Sequence, residues 1–144
     1  MKIYFCGSMT FDHSKAFDYQ KMIEKLEDYG EVLNKFVGNN EVKEFEPAYV
    51  FKRDTSNLNN ADLLVADVTV VSTGVGFEIG YFTTKNKPML ILYDETRPVP
   101  SASVRGIFNS QVDTYKNINE ALLKIDEFMK NIKWYKCLYF FIDF

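Results

Sequence analysis

The chain has 144 residues, with 17 Lys and Arg against 20 Asp and Glu, a net charge of −3 and a pI near 5.2. That length fits one domain with its own core, and the acidic balance argues against non-specific binding of nucleic acid, which needs a basic face. No apolar run approaches the ~20 residues of a membrane span, two cysteines are too few for a disulfide framework, and the single His13 lies in no metal-ligand spacing. With no leader ahead of the first apolar run, the default expectation is a cytoplasmic protein without a metal or other cofactor.

In chain order, Lys2 to Cys6 reads as a first strand. It ends in the small-residue loop Gly7-Ser8-Met9-Thr10. Ser8 and Thr10 therefore stand where open α/β sheets bind ligands, beyond the carboxyl end of a strand, although a helix cap explains Thr10 equally well. Ser14 to Tyr29 has helical spacing, with Phe17, Met22, Ile23 and Leu26 on the expected inner face and Gly30 as the stop. Glu31 to Asn34 is a brief second strand. The polar stretch from Lys35 to Glu46 has the length of an active-site loop. Pro47 opens a helix that carries Lys52, Arg53 and Asp54.

Leu63 to Val68 is apolar nearly throughout, as parallel strands covered on both faces are. Val70 to Gly76 forms a Ser/Thr/Gly turn, and a helix follows with Glu78 expected in its first turn. Strand, turn and helix in this order offer backbone N–H groups to an anion, with Gly74 and Gly76 allowing close approach. Glu78 is then either a helix-dipole acid or a reactive group beside the ligand, and the motif alone leaves the two even. Met89 to Tyr93 is a fourth strand, Asp94 to Gly106 a loop, Gln111 to Tyr115 a short fifth strand. Asn119 to Ile132 is a helix with Leu122, Leu123, Ile125 and Phe128 inward. The expected fold is α/β, a Rossmann- or flavodoxin-like three-layer sandwich around a parallel sheet of about five strands. One domain over residues 1–133 precedes an apolar tail, 134–144, suited to the core or to a subunit interface.

Four segments carry a resemblance. Ile3-Tyr4-Phe5-Cys6-Gly7-Ser8, Asp54 ahead of Asn60-Ala61-Asp62, Ser72 to Gly80, and Ser101-Ala102-Ser103-Val104-Arg105-Gly106 occur in that order. Together the set resembles the nucleoside 2-deoxyribosyltransferase superfamily, and within it the 2′-deoxynucleoside 5′-monophosphate N-hydrolases. The resemblance implies cleavage of the N-glycosidic bond to a 2-deoxyribose. Glu78 would be the nucleophile that forms a glycosyl-enzyme, as in retaining glycosidases. Asp54 would assist the leaving base, and Tyr4 would orient the nucleophile. Ser8, Ser72, Gly74, Gly76, Ser101 and Ser103, with Thr10, would form the substrate and phosphate contacts. The transferases tend to carry Asp where this chain has Ser72; a hydroxyl can donate to a phosphate that a carboxylate would repel.

The resemblance further implies a homodimer in which Ser101 completes the neighbour's site. Two departures stand out. The Arg usual two positions after the first-loop serine is Thr10, leaving Arg53 or Lys35 to replace it, and the Met usual near the third segment's end is Ser103. Competing expectations are base exchange, with a second base as acceptor, and a non-catalytic nucleotide-binding module. A ribonucleotide hydrolase fits less well, for want of a Pro-Gly-Gly lead-in.

Overall fold

The computed structural model describes residues 1–9, 13–39 and 46–140, with 13, 39 and 133–140 described by backbone alone. Five strands, β1 (Lys2–Cys6), β2 (Glu31–Val32), β3 (Leu63–Asp67), β4 (Met89–Asp94) and β5 (Ser110–Tyr115), form one sheet in the order β2-β1-β3-β4-β5. Every pairing is parallel. The helices are α1 (Ala16–Glu27), α2 (Pro47–Asn60), α3 (Thr73–Thr83), α4 (Ala102–Arg105) and α5 (Ile118–Phe140). The α/β sandwich expected from the alternation of strands and helices is present.

Side chains alternate across each strand, so the sheet has two cores. Ile3 and Phe5 of β1, with Leu63, Val65, Leu90 and Leu92, pack against α1 and α5. Tyr4 and Cys6, with Leu64, Ala66, Met89 and Ile91, pack against Leu58 of α2 and Val75, Ile79 and Phe82 of α3. β1 and β3 are neighbours, yet the helices that follow them lie on opposite faces. The loops leaving the two strands part at that point and open a crevice at the carboxyl edge of the sheet.

Several boundaries and faces differ from expectation. Phe17 is 66% exposed, under the ammonium of Lys21, because Tyr19 takes the inward position beside Met22, Ile23 and Leu26. Leu123 is 60% exposed, and Ala121, Ile125, Phe128 and Met129 form the buried stripe of α5. That helix continues in backbone through the first part of the apolar tail to Phe140; residues 141–144 lie outside the described part of the chain.

The second strand is shorter than its apolar pattern suggests, and a side chain completes it. Leu33 N donates to Ile3 O at 2.9 Å as the last backbone link on this edge. The Asn34 carboxamide then takes both backbone groups of Phe5: Oδ1 accepts from Phe5 N at 2.9 Å, and Nδ2 donates to Phe5 O. Asn34 is 1% exposed, so these groups have no water to fall back on. Asn34→Ala strands a buried N–H and C=O and should lower unfolding free energy by about 2–4 kcal/mol, at 1–3 for each orphaned group less some relaxation, in urea titration.

Candidate active site

The helix α3 begins five residues before Glu78, at Thr73, and not around Glu78 itself. Ser72 is its cap: the backbone there is extended, and its Oγ accepts from Val75 N at 3.3 Å. Gly76 N already donates to Ser72 O, so Gly74 and Gly76 lie inside the helix rather than in a turn ahead of it. Glu78 therefore belongs to the second turn, beyond the reach of a capping role, and the first turn holds no acid. What places Glu78 is the burial of Val75, one turn earlier, and Ile79, the next residue, against the β1–β3 face.

That register points Glu78 at β1. Tyr4 is 1% exposed, and its hydroxyl donates to Glu78 Oε1 at 2.7 Å. The Cys6 thiol lies two residues along the same face, in the same buried cluster as Tyr4, Val75 and Ile79. Asp54 approaches from α2 closely enough to act on the charge of both Glu78 and Tyr4. Arg53 Nε donates to Asp54 Oδ1 at 2.8 Å, and its guanidinium lies 4.2 Å from the Phe36 ring centroid. Tyr4, Asp54 and Glu78, expected together only from the resemblance, are thus brought together by three different elements.

Burial dominates the electrostatics. It pushes the Glu78 carboxyl up from its ordinary range to about 7. The hydrogen bond from Tyr4, the nearby Cys6 thiol and the Arg53 charge oppose that rise, while the Asp54 charge adds to it. The Tyr4 phenol and the Cys6 thiol are both pushed well up, first by burial and then by the Glu78 charge. Both therefore remain protonated at neutral pH. The product is a carboxylate that ionises near neutrality, fixed by the Tyr4 hydroxyl, which cannot itself lose a proton there.

A cleft beside this cluster is lined by Ser72 and Gly76 of α3, Ser101 and Val104 around α4, and Val71 and Pro100 from the loops. Three of the expected phosphate contacts therefore share one cavity within a single chain. Ser8, at the end of β1, is buried. Gly74 and Ser103 are exposed and do not line the cleft, and Thr10 lies outside the described residues. The two cations considered as replacements for the missing Arg are engaged elsewhere, Lys35 with Glu27 and Arg53 with Asp54.

Two contributors escape a reading of the sequence. Cys6 passes for an inert core thiol unless the two-residue period from Tyr4 is followed to the same face of the sheet, beneath α3. Arg53 sits beside Asp54 in the chain, and adjacency on a helix gives no sign that their side chains will meet.

The nucleoside 2-deoxyribosyltransferase family model matches residues 3–129. A protein of Thermofilum pendens named "Putative 2'-deoxynucleoside 5'-phosphate N-hydrolase 1" is 38% identical over 136 residues, 90% of this chain and 95% of its own. The Danio rerio 5-hydroxymethyl-dUMP N-hydrolase is 37% identical over 129 residues, 81% and 87% of the two chains. Among solved structures, the Clostridium botulinum CMP N-glycosidase BcmB superposes with a TM-score of 0.64 at 22% identity, covering 88% of this chain and 99% of that one; a likeness of this kind speaks for the fold alone. With the family model spanning nearly all of the described α/β domain, the chain belongs to the nucleoside 2-deoxyribosyltransferase family.

Proposed function

We propose that the chain hydrolyses the N-glycosidic bond of 2′-deoxynucleoside 5′-monophosphates, giving free base and 2-deoxyribose 5-phosphate. The observation that carries this reading is the Glu78 carboxylate, part-buried, held by Tyr4 at 2.7 Å and accompanied by Asp54. In the proposed reaction one Glu78 oxygen attacks the anomeric carbon. The bond from that carbon to the base nitrogen breaks, its electron pair leaves with the base, and Asp54 supplies the proton the base takes up. Water then attacks the same carbon, giving a proton back to Asp54, and the ester bond to Glu78 breaks to restore the carboxylate. Deoxyribose favours this route, because no 2-hydroxyl withdraws electrons from the oxocarbenium-like centre.

The 5′-phosphate would lie at the amino end of α3, where the first N–H groups have no acceptor within the helix. Ser72 uses a lone pair for its cap, which leaves its hydroxyl hydrogen free to reach the phosphate. The named relatives at 37–38% identity act on phosphorylated deoxynucleosides by their names, which supports the same substrate class here. A buried free thiol at Cys6 suits the reducing cytoplasm.

We extend the reading to a homodimer. Phe51, Phe77 and Tyr81 form an aromatic row across α2 and α3, with centroids 5.9 and 6.0 Å apart, and Phe51 and Phe77 are exposed. Beside them a Cβ at Gly76 or Gly80 would meet nothing, so this side of α3 is bare in the single chain. A second copy seated there would lie next to the cleft.

Three measurements follow. Chromatography of the four deoxynucleoside monophosphates and their nucleosides should show base release from monophosphates; a new nucleotide on adding free base would mark exchange instead. Glu78→Gln should abolish turnover and keep binding. Its unfolding free energy should also exceed wild type at pH 8. A carboxyl that rises from its ordinary range to about 7 on folding makes the wild type lose stability as pH climbs between those values. The gain, of order 1–3 kcal/mol, should vanish near pH 4; equal urea midpoints at pH 8 would refute a destabilising buried charge.

Ser72→Asp keeps an equally good cap, so the fold should survive. It should lower kcat/KM for monophosphates roughly a hundredfold, about 3 kcal/mol of like-charge repulsion, and spare nucleosides. For the dimer, Glu78→Gln and Ser101→Asp chains, each inactive alone, should on mixing regain about a quarter of wild-type activity if Ser101 serves the neighbouring site. No recovery would assign Ser101 to its own chain's cleft.

A further inference from the structure

A second polar cluster closes the carboxyl edge of the sheet, on the opposite face from Tyr4. Asp67, the last residue of β3, follows Leu63 and Val65 onto the side of α1 and α5 and is fully buried. Both of its oxygens are taken. Oδ1 accepts from Thr69 N at 2.9 Å, an Asx turn, and Oδ2 accepts from the hydroxyl of Tyr115, the last residue of β5. Thr69 Oγ1 lies 3.3 Å from that same hydroxyl and accepts from the backbone N of Asp94, the last residue of β4, at 2.9 Å. The Lys15 ammonium, just ahead of α1, pairs with Asp94 at 2.8 Å and sits 5.1 Å from the Tyr115 ring centroid. The ends of three adjacent strands are thus tied together through Thr69. What they hold is the start of the loop to α3, whose Val68, Val70, Val71 and Ser72 line the cleft. Val71 is 89% exposed, so burial of its own side chain does not anchor the loop there.

We propose that Thr69 and Tyr115 are positioning residues for the phosphate subsite: their hydroxyls pin the loop between β3 and α3, so that Ser72 and the first N–H groups of α3 face the cleft at a fixed distance from Glu78. This rests on the reading of the amino end of α3 as the phosphate site. Neither residue lines the cleft, so each acts through the loop. A buried network whose donors and acceptors are paired holds one arrangement, where apolar packing of the same volume tolerates several. Thr69 is three residues ahead of Ser72, and slack at the first is passed to the second. Contacts made alike before and during the reaction lower KM and leave kcat alone. A loosened loop therefore weakens the hold on the phosphate. Tyr4 and Glu78, joined to each other across β1 and anchored by Val75 and Ile79, keep their geometry.

The test compares Thr69→Val, which keeps the shape and removes the hydroxyl, with Thr69→Ser, which keeps the hydroxyl. Tyr115→Phe removes the partner and carries the test should Thr69→Val fail to fold in urea titration. Two quantities are read: KM and kcat for a deoxynucleoside monophosphate, and the inhibition constant of the matching deoxynucleoside, which lacks the phosphate. Thr69→Val and Tyr115→Phe should raise KM about tenfold, the equivalent of one lost hydrogen bond, with kcat and the deoxynucleoside constant unchanged. Thr69→Ser should keep the wild-type KM. An unchanged KM in Thr69→Val, an equal weakening of the deoxynucleoside, or a Thr69→Ser that fails alongside Thr69→Val overturns the proposal. If the wild type releases no base from any deoxynucleotide, the hydrolase reading falls, and calorimetric binding of 2-deoxyribose 5-phosphate decides the role of the loop. Binding about tenfold weaker in Thr69→Val then supports it. Equal binding, or none by the wild type, overturns it.

Discussion

The site depends on a carboxylate partly withdrawn from water. An ionised group inside a protein loses its hydration, and only hydrogen bonds and opposite charge make up the loss. At Glu78 they do so in part. Burial raises the carboxyl to about 7, with the Tyr4 hydroxyl, the nearby Cys6 thiol and one guanidinium pulling it back and one further carboxylate pushing it on. A group balanced there changes charge near neutral pH and is poorly solvated when ionised, which is the condition the proposed attack on the anomeric carbon would need.

The sheet topology puts these groups within reach of one another. β1 lies one strand in from the edge, and its neighbour, the central strand β3, hands the chain to the opposite face. The residues of β1 that face α3 therefore lie directly under the first turns of the helix that follows β3. Tyr4 and Glu78 are 74 positions apart and still meet at hydrogen-bond distance. The Asn34 carboxamide secures the other edge of β1, holding Phe5 between Tyr4 and Cys6. An error in that edge would shift the strand whose side chains orient the acid, so a short and irregular second strand bears on chemistry on the far side of the sheet.

Strands were legible in the sequence because a buried parallel strand is apolar on both faces, and Leu63 to Asp67 and Met89 to Asp94 are close to that limit. Faces were less legible. Phe17 and Leu123 match the helical period nearly as well as the residues that displace them, and only packing against the sheet chooses between neighbours on a helix. The start of α3 was misplaced because Gly74 and Gly76 are poor helix formers and read as a turn; the Ser72 cap and the burial of Val75 override them. Asp54 would have passed for a surface charge on spacing alone. Its approach to Glu78 is a long-range consequence of how α2 packs, visible beforehand only through the motif set.

Helix α3 carries two costs, and they coincide in space. Its sequence, TGVGFEIGYFT, includes Gly74, Gly76 and Gly80, each disfavoured relative to Ala by about 1 kcal/mol in a helix interior. Yet a Cβ at Gly76 or Gly80 would meet nothing, and at Gly74 only the Ser72 hydroxyl at 3.7 Å. Packing within the single chain therefore does not require glycine at these positions. The helix is held instead by Val75, Ile79 and Phe82 beneath it, and between those anchors it half-buries a carboxylate that prefers water. A segment that gives up stability on its open side and again on its buried side is shaped by what approaches from outside. The proposed ligand at its amino end and the proposed second chain along its bare face would each need backbone that no side chain covers.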